Sequence, residues 1–306
     1  MELNGIHHIS AICGEPQANI DFYTGELGLR LVKVTVNYDD PASYHLYYGD
    51  QLGRPGSAMT FFPWSNAPAG LVGSGQVSAV AFSIPEGSEG FWAQRLPKAT
   101  PFERDGQNGL SFFDNDGLPL ELIAAKDERP GWAGYGVPED MAIRGFHSAT
   151  LDVGRSEHSK ELLRRMGFAD RELGERTRFE ILGGGPARTV DLVNTGAKGI
   201  GGRGTVHHIA YGTPTDASQK GCSSELTAMG HHPTPVQERQ FFRSIYYREP
   251  SGILFEIATD GPGFTVDEEE PQLATKLSLP SWFEDSRAAI EKMLPEIKTP
   301  SGLVLP

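Results

Sequence analysis

Short stretches in which apolar and polar residues alternate recur along the chain. Val77–Pro85 and Val206–Pro214 can be aligned residue by residue, and both end in proline. Gly5–Ile9 and Gly145–Ser148 begin in the same way. Alternation with a period of two predicts β-strands, and a unit that recurs at regular spacing predicts a fold built from repeats.

Each opening strand leads towards a segment with helical character. Pro16–Leu27 and Ser156–Met166 predict helices, and each is followed by a glycine, which is a common stop signal. Further strands close each unit, and in three of the four units the last strand follows a glycine. We therefore predict an α+β fold of four βαβββ modules, with glycine- and proline-containing linkers between them. The modules lie near residues 5–62, 75–125, 144–195 and 204–259.

The modules suggest a division into two halves and a tail. We expect an N-terminal domain at 1–135, a C-terminal domain at 136–265, each with two modules, and a tail at 266–306. In the tail, Ser281–Glu284 resembles a capping box and predicts a helix that continues to about Leu294. The acidic run Asp267–Glu270 is expected to be solvated.

One glycine-rich segment matches a dinucleotide-binding pattern. Gly199–Gly204 has the spacing GxGxxG, but strand residues follow it where the motif requires a helix. We therefore interpret it as a linker between the third and fourth modules.

Composition excludes several classes of protein. The chain has 306 residues and a formal net charge of −13, which argues against nucleic acid or an anionic membrane as a partner. Its two cysteines, Cys13 and Cys222, cannot form a disulfide framework. Neither a secretory signal nor a long apolar run is recognisable, so we expect a cytoplasmic protein. The sequence does not determine the oligomeric state, and a homo-oligomer is compatible with it.

The candidate chemistry lies in histidine doublets and one carboxylate. His7-His8 and His207-His208 stand in equivalent opening strands, and Glu256 lies inside an apolar strand. A carboxylate in such a strand is costly unless a partner neutralises it. Two imidazoles and a carboxylate leave open positions on a metal ion, a set that suits Fe(II) and also Mn(II).

Alternation restricts which histidines can be ligands. Neighbouring strand residues point to opposite faces, so only one member of each doublet should reach the metal. The fourth module alone supplies both a histidine and a carboxylate, and either His8 of the first module or His147 of the third completes the set. The second module has Glu121 without a histidine, and the first has Thr60 at the carboxylate position.

These residues resemble the vicinal oxygen chelate superfamily, and Arg239–Pro250 together with Phe255–Phe264 is similar to the hydroquinone-type ring-cleaving dioxygenases. The resemblance implies two glyoxalase-like half-barrel domains and an Fe(II) ion. It also implies the following site: metal ligands His8, His208 and Glu256; His7 and His207 behind them; and Arg239 and Tyr246 as catalytic residues near the substrate. Ser10 occupies a position where the family often has a hydroxyl group, and Phe241 and Trp64 are candidates for an aromatic slot.

The resulting hypothesis is a non-haem Fe(II)-dependent dioxygenase that uses O₂ to cleave hydroquinone-type or other dihydroxylated aromatic rings. One alternative is a glyoxalase-like isomerase or lyase, which would need a second carboxylate at the metal. Another is a non-catalytic protein that binds aromatic compounds. Ordinary two-domain extradiol dioxygenases use the third and fourth modules, and in that arrangement His147 would replace His8.

Overall fold

The strands are numbered in chain order in a computed structural model that describes residues 1–306. In the first half they are β1 (Gly5–Cys13), β2 (Arg30–Asn37), β3 (Asp40–Gly49), β4 (Ala58–Pro63), β5 (Gln76–Ile84), β6 (Thr100–Arg104), β7 (Gln107–Phe113) and β8 (Pro119–Ala124). In the second half they are β9 (Gly145–Asp152), β10 (Ala169–Leu173), β11 (Arg176–Glu180), β12 (Thr189–Val193), β13 (Thr205–Thr213), β14 (Gln237–Glu238), β15 (Arg243–Arg248), β16 (Leu254–Thr259), β17 (Ile297–Lys298) and β18 (Val304–Leu305).

The strands form two curled eight-stranded half-barrels and a small terminal hairpin. The first sheet has the order β14-β15-β16-β13-β1-β4-β3-β2, and the second has the order β10-β11-β12-β9-β5-β8-β7-β6. β17 and β18 pair with each other. The α+β fold with two glyoxalase-like half-barrels is therefore confirmed.

The sheets do not follow the expected division at residue 135. β1 pairs antiparallel with β13, so the first and fourth modules share one sheet. β5 pairs antiparallel with β9, so the second and third modules share the other. Each sheet thus takes one module from 1–135 and one from 136–265. Strand periodicity is a local signal and does not specify which distant strand will be the partner, which is why the sequence favoured contiguous halves.

The helices are α1 (Pro16–Ile20), α2 (Glu89–Arg95), α3 (Ser156–Met166), α4 (Asp216–Ala228) and α5 (Arg287–Met293). α3 has the predicted bounds, and Gly167 after it adopts a left-handed conformation with φ of 105°, as a helix stop requires. The predicted helix at 16–27 is α-helical only to Ile20 and continues to Glu26 as a wider π-helical turn. Thr24 donates its hydroxyl hydrogen to the Ile20 carbonyl, which accounts for part of this departure.

The acidic run of the tail is not wholly solvated. Lys33 of β2 is completely buried, and its ammonium nitrogen lies 2.6 Å from a carboxylate oxygen of Asp267 and in contact with Glu268. Glu268 is itself buried. The prediction of a solvated run was therefore wrong for these two residues, because a buried ammonium group needs anionic partners.

The predicted capping box is also absent. Ser281–Ser286 forms a 3₁₀ segment, and the Ser281 side chain caps nothing. Glu284 instead bonds Arg287 at 2.7 Å, and α5 begins only at that arginine. None of the helices combines the length and the apolar composition that a membrane crossing requires.

Candidate metal centre

Three side chains from three adjacent strands converge on the concave face of the first sheet. The Nε2 atoms of His8 and His208 are 3.3 Å apart. The Glu256 Oε2 atom lies 3.3 Å from His8 Nε2 and 3.0 Å from His208 Nε2. All three residues are buried.

The strand order and register bring these residues together. β16, β13 and β1 are neighbours in the sheet, and Glu256 lies opposite Ala210, which in turn lies opposite His8. His208 lies two residues before Ala210 and therefore points to the same face. His8 thus shares one small area of the sheet with two residues that lie about 200 and 250 positions later in the sequence.

His147 lies elsewhere. It belongs to β9 in the second sheet, where its Nδ1 atom is 2.9 Å from the Ser148 hydroxyl and its Nε2 atom is 3.3 Å from the Gln107 amide. Burial, together with the guanidinium groups of Arg178 and Arg104, lowers the pKa of His147 to about 4. The cluster with Glu256 therefore contains His8 and not His147.

The charge of Glu256 depends on its neighbours. Burial acts to raise the pKa of Glu256, but the imidazoles of His8 and His208 outweigh it and hold that pKa well below its usual range. Ser244 donates a hydrogen bond to Oε1, whereas the buried Oε2 has no hydrogen-bond donor. An ionised oxygen without a donor, facing two imidazole nitrogens, has the properties expected of a metal ligand.

The other histidine of each doublet lies directly behind its neighbour. The Nδ1 atoms of His7 and His8 are 2.9 Å apart, and those of His207 and His208 are 2.8 Å apart. A register shift between Ile6 and His8 disturbs the regular alternation of β1, so the two rings of that doublet can meet edge to face. Burial lowers the pKa of both His7 and His207 to about 3, so both rings are neutral at physiological pH.

The donor set fits a divalent metal ion. Ligand atoms bound at about 2.1 Å with right-angle or tetrahedral geometry lie roughly 3.0 to 3.4 Å from each other. The three separations in the cluster, from 3.0 to 3.3 Å, fall in this range. Two nitrogen ligands and one oxygen ligand form a set that suits Fe(II) or Mn(II), and three protein ligands would leave other coordination positions for further ligands.

A cavity of about 260 Å³ adjoins the cluster. Its lining includes His8, His207 and His208, aromatic side chains and several polar groups. The remaining lining residues are Asn37, Tyr38, Asp39, His45, Tyr47, Phe62, Thr234, Gln237, Arg239, Phe242, Tyr246 and Leu254.

Arg239 and Tyr246 lie together at this cavity. Arg239 Nε donates to the Tyr246 hydroxyl oxygen at 3.2 Å, and the guanidinium carbon is 5.3 Å from the centre of the Tyr246 ring. Arg239 also donates to Gln237 at 2.6 Å and to Asp39 at 3.2 Å. Burial raises the pKa of Tyr246 well above its usual range, so this tyrosine keeps its proton.

The aromatic lining differs from the expected one. Phe241 is fully buried against Phe264 and Tyr47 and does not line the cavity. Its neighbour Phe242 takes that place and contacts the His8 ring. Trp64 stacks on Phe62 outside the cavity lining, and it is Phe62 that faces the cavity. Alternation predicts one aromatic face, but it does not show which member of a doublet such as Phe241-Phe242 will face the site.

Two further residues at the site were missed by sequence reasoning, and they connect to Thr60. His45 and Tyr47 line the cavity, and Thr60 lies beside them on β4. His45 Nδ1 is 2.8 Å from the Tyr47 hydroxyl, His45 Nε2 is 2.9 Å from the Thr60 hydroxyl, and Thr60 is 2.6 Å from the Ser10 hydroxyl. The only available signal was that His45 and Tyr47 share one face of a strand otherwise rich in aromatic residues.

The corresponding face of the second sheet holds ion pairs. Glu121, which is paired with Ala81 as Glu256 is with Ala210, contacts Arg104 at 3.0 Å. Arg178 Nε bonds an Asp191 carboxylate oxygen at 2.8 Å. Guanidinium groups thus neutralise the carboxylates there, and no histidine contacts them. Glu121 is thus a partly buried carboxylate paired with a cation.

The chain is similar along nearly its whole length to proteins that are named as dioxygenases. The Glyoxalase/Bleomycin resistance protein/Dioxygenase superfamily matches residues 5–257. A Bacillus subtilis protein named "Putative ring-cleaving dioxygenase MhqO" is 43% identical over 95% of each chain. The chlorohydroquinone/hydroquinone 1,2-dioxygenase of Sphingobium indicum is 34% identical over 90% of this chain and 91% of that protein.

Solved structures agree with the fold. The crystal structure of a Bacillus subtilis protein, described as a putative dioxygenase, is 41% identical, has a TM-score of 0.94, and matches 97% of this chain and 98% of that one. Glyoxalase I from Zea mays has a TM-score of 0.60 at 16% identity, covering 84% of this chain and 92% of that one. At that identity the likeness concerns the fold alone.

Proposed function

The chain belongs to the glyoxalase/bleomycin resistance protein/dioxygenase superfamily, and we propose that it is a metal-dependent dioxygenase that opens dihydroxylated aromatic rings. The observation that carries this proposal is the cluster of His8, His208 and Glu256 at the side of a cavity lined by aromatic residues. The similarity to the hydroquinone dioxygenase of Sphingobium indicum supports a hydroquinone-type substrate.

We assign His8, His208 and Glu256 as the metal ligands and Fe(II) as the metal, with Mn(II) as the second choice because the same ligands suit it. When bound, the metal would acidify a substrate hydroxyl and activate O₂. His7 and His207 would fix the ligand rings. If Nδ1 of each ligand histidine donates to the histidine behind it, its Nε2 lone pair is available for the metal.

Tyr246 and Arg239 would act as a pair on the substrate. Because Arg239 Nε donates to the tyrosine oxygen, the Tyr246 hydroxyl hydrogen remains available for a substrate oxygen. The positive charge of Arg239 would stabilise negative charge that develops near that hydroxyl. Tyr246 lies beside His208, with the two ring centres 5.8 Å apart, and Arg239 is bonded to Tyr246.

The geometry does not favour the isomerase alternative. Thr60, which stands where a second carboxylate would be needed, is bonded to Ser10 and His45 and contributes no charge. Glu256 is the sole carboxylate in the cluster. The non-catalytic alternative would not require a buried carboxylate with an unsatisfied oxygen next to two imidazoles.

The test combines metal analysis with oxygen uptake. The protein would be purified without oxygen, its metal identified by elemental analysis, and O₂ consumption measured with hydroquinone, chlorohydroquinone and catechol. We expect stoichiometric iron and uptake with at least one 1,4-diol, with a ring-opened product. Metal-loaded protein that consumes no O₂ with any of these compounds would contradict the proposal.

A further inference from the structure

Four hydrogen-bonding side chains form a continuous chain beside the metal-ligand cluster. Tyr47, His45, Thr60 and Ser10 are linked by contacts of 2.8, 2.9 and 2.6 Å, and we call them the hydroxyl–imidazole chain. Tyr47 lies opposite Thr60, and Thr60 lies opposite Ser10, so three of the four residues form one row across β3, β4 and β1. Ser10 in turn lies opposite His208.

The two ends of this chain have different surroundings. Thr60 and Ser10 are fully buried and do not line the cavity, whereas Tyr47 and His45 do. His45 is held between the rings of Tyr47 and Phe62, with ring centres 4.0 and 4.2 Å away. The cavity end of the chain is therefore fixed in position by both packing and hydrogen bonds.

The Tyr47 hydroxyl has one hydrogen-bonding function left over. A neutral imidazole donates from one nitrogen and accepts at the other, so both His45 contacts are satisfied by the two hydroxyl groups. If Tyr47 donates to His45, its oxygen can still accept a hydrogen bond. If it accepts from His45, its own hydrogen is still free. In either direction the residue can bind a hydroxyl group, which is both donor and acceptor.

Several other polar groups around the cavity already make hydrogen bonds within the protein, whereas Tyr246 on the opposite side keeps its hydroxyl hydrogen. Arg239 is bonded to Tyr246, Gln237 and Asp39. The Thr234 hydroxyl accepts from the Tyr246 backbone, and the Asn37 side-chain oxygen accepts from the Asp39 backbone.

Tyr47 is also at a suitable place relative to the ligand cluster. β3 is two strands from β1, and strands lie about 4.8 Å apart, so the two backbones are separated by roughly 10 Å. Tyr246 lies on the other side of the cluster, on β15. An aromatic ring attached at the metal through one hydroxyl can therefore point its far side towards Tyr47.

From this arrangement we propose that Tyr47, held by His45, binds the substrate hydroxyl that is not at the metal, and thereby selects 1,4-diols. The inference rests on the proposed function and adds a residue that determines specificity. Tyr47 would touch the substrate, while His45 and Thr60 would act through it as positioning residues. A catechol, whose hydroxyls are adjacent, would not place a hydroxyl there.

The test compares hydroquinone with phenol, which lacks the second hydroxyl. Binding of each to the metal-loaded protein would be measured by calorimetry without oxygen, so that no turnover is needed. We expect the natural protein to bind hydroquinone at least fivefold more tightly than phenol. Tyr47→Phe should reduce this ratio to below twofold while phenol affinity stays within twofold.

A matched control is available on the same strand. The Tyr44 hydroxyl donates to the Pro295 carbonyl at 2.9 Å, outside the cavity, so Tyr44→Phe removes a hydroxyl without touching the proposed contact. It should leave the ratio unchanged. At the buried end of the hydroxyl–imidazole chain, Thr60→Val should lower the ratio of the two affinities by about twofold to threefold. Thr60→Ser keeps the hydroxyl and should therefore keep the ratio of the natural protein. A purely structural role of Thr60 would not predict this difference.

Two outcomes would overturn the inference. One is a natural protein without preference for hydroquinone over phenol, and the other is a Tyr47→Phe variant that keeps the preference. Failure of the proposed function is distinguishable, because it would appear as absence of O₂ uptake with every diol, whatever the binding ratio.

Discussion

Glu256 is a fully buried carboxylate, and its ionised form is stabilised by two imidazoles and by a hydrogen bond from Ser244. Burying a charged carboxylate costs free energy of folding unless a cation or hydrogen-bond donors compensate it. At the equivalent place in the second sheet, Glu121 meets the guanidinium group of Arg104. The two carboxylates therefore provide an internal comparison within one chain.

We predict that Glu256→Ala removes the bound metal and at least 99% of the oxygenase activity, because one of three ligands is lost. Glu121→Ala should keep both metal and activity. Elemental analysis and circular dichroism of the two purified variants would check this. Full metal content in Glu256→Ala would contradict the ligand assignment.

His8 and His147 provide a second comparison, because both stand in opening strands. We predict that His8→Ala loses the metal, whereas His147→Ala retains it, because only His8 lies beside Glu256. The measurement is again metal content per protein chain. The opposite result would mean that the third module contributes to the site.

His147 also predicts a dependence of stability on pH. Burial and two guanidinium groups lower its pKa from 6.5 to about 4, so the folded protein binds fewer protons than the unfolded chain between these values. Stability is therefore complete above pH 6.5 and falls as the pH drops to 4, by about 3 kcal/mol from this group. Urea unfolding of His147→Gln should show a smaller loss over this range than the natural protein. Parallel curves would contradict the prediction.

At the scale of elements, the tail is held to β2 by a buried charge. The ammonium group of Lys33 meets Asp267 and Glu268, and its nitrogen is 5.1 Å from the centre of the Phe241 ring. Phe264, which lies two residues before the tail, packs on Phe241 and Tyr47. The tail thus packs next to Phe241 and β2, close to the residues that line the cavity. Docking of the tail is therefore expected to help maintain the shape of the site.

We predict that Lys33→Met lowers the free energy of unfolding by about 3 kcal/mol, because two carboxylates lose their buried partner. Lys160→Met is the matched control, since Lys160 contacts the exposed carboxylate of Glu172 at 2.9 Å, and its effect should be below about 1 kcal/mol. Denaturant unfolding and limited proteolysis of the tail would check both. Equal effects of the two substitutions would argue against the buried charge as the anchor.

For the whole molecule, the main feature is the exchange of modules between the halves of the chain. The first sheet combines the first and fourth modules, and the second sheet combines the second and third. The metal-ligand cluster therefore requires both halves, with His8 from one and His208 and Glu256 from the other. A cut between residues 135 and 136 would separate each of the two eight-stranded sheets into two parts.

We predict that the separate fragments 1–135 and 136–306 do not bind stoichiometric metal. When the two are mixed, metal binding should return, because the strand edges that each fragment exposes alone can pair with those of the other. Co-purification and metal content of the mixture are the measurements. Stoichiometric metal in the 136–306 fragment alone would contradict the arrangement.

The sequence by itself determined the features that depend on local patterns. Alternation and glycine positions were sufficient to predict four βαβββ modules and the full extent of α3. Two histidine doublets and a carboxylate in an apolar strand identified the candidate metal chemistry, because buried ionisable groups need partners wherever they occur. Each of these signals is contained within a few neighbouring residues, so each can be recognised without knowledge of the fold.

Only the tertiary structure decided which distant residues meet. Pairing of β1 with β13 placed His8, and not His147, beside Glu256. The pairing of β3 with β4 and of β4 with β1 brought the members of the hydroxyl–imidazole chain together. Docking of the tail buried Glu268 against Lys33. None of these contacts has a local signature, because strand partners are chosen by the combined packing and register of the complete sheet.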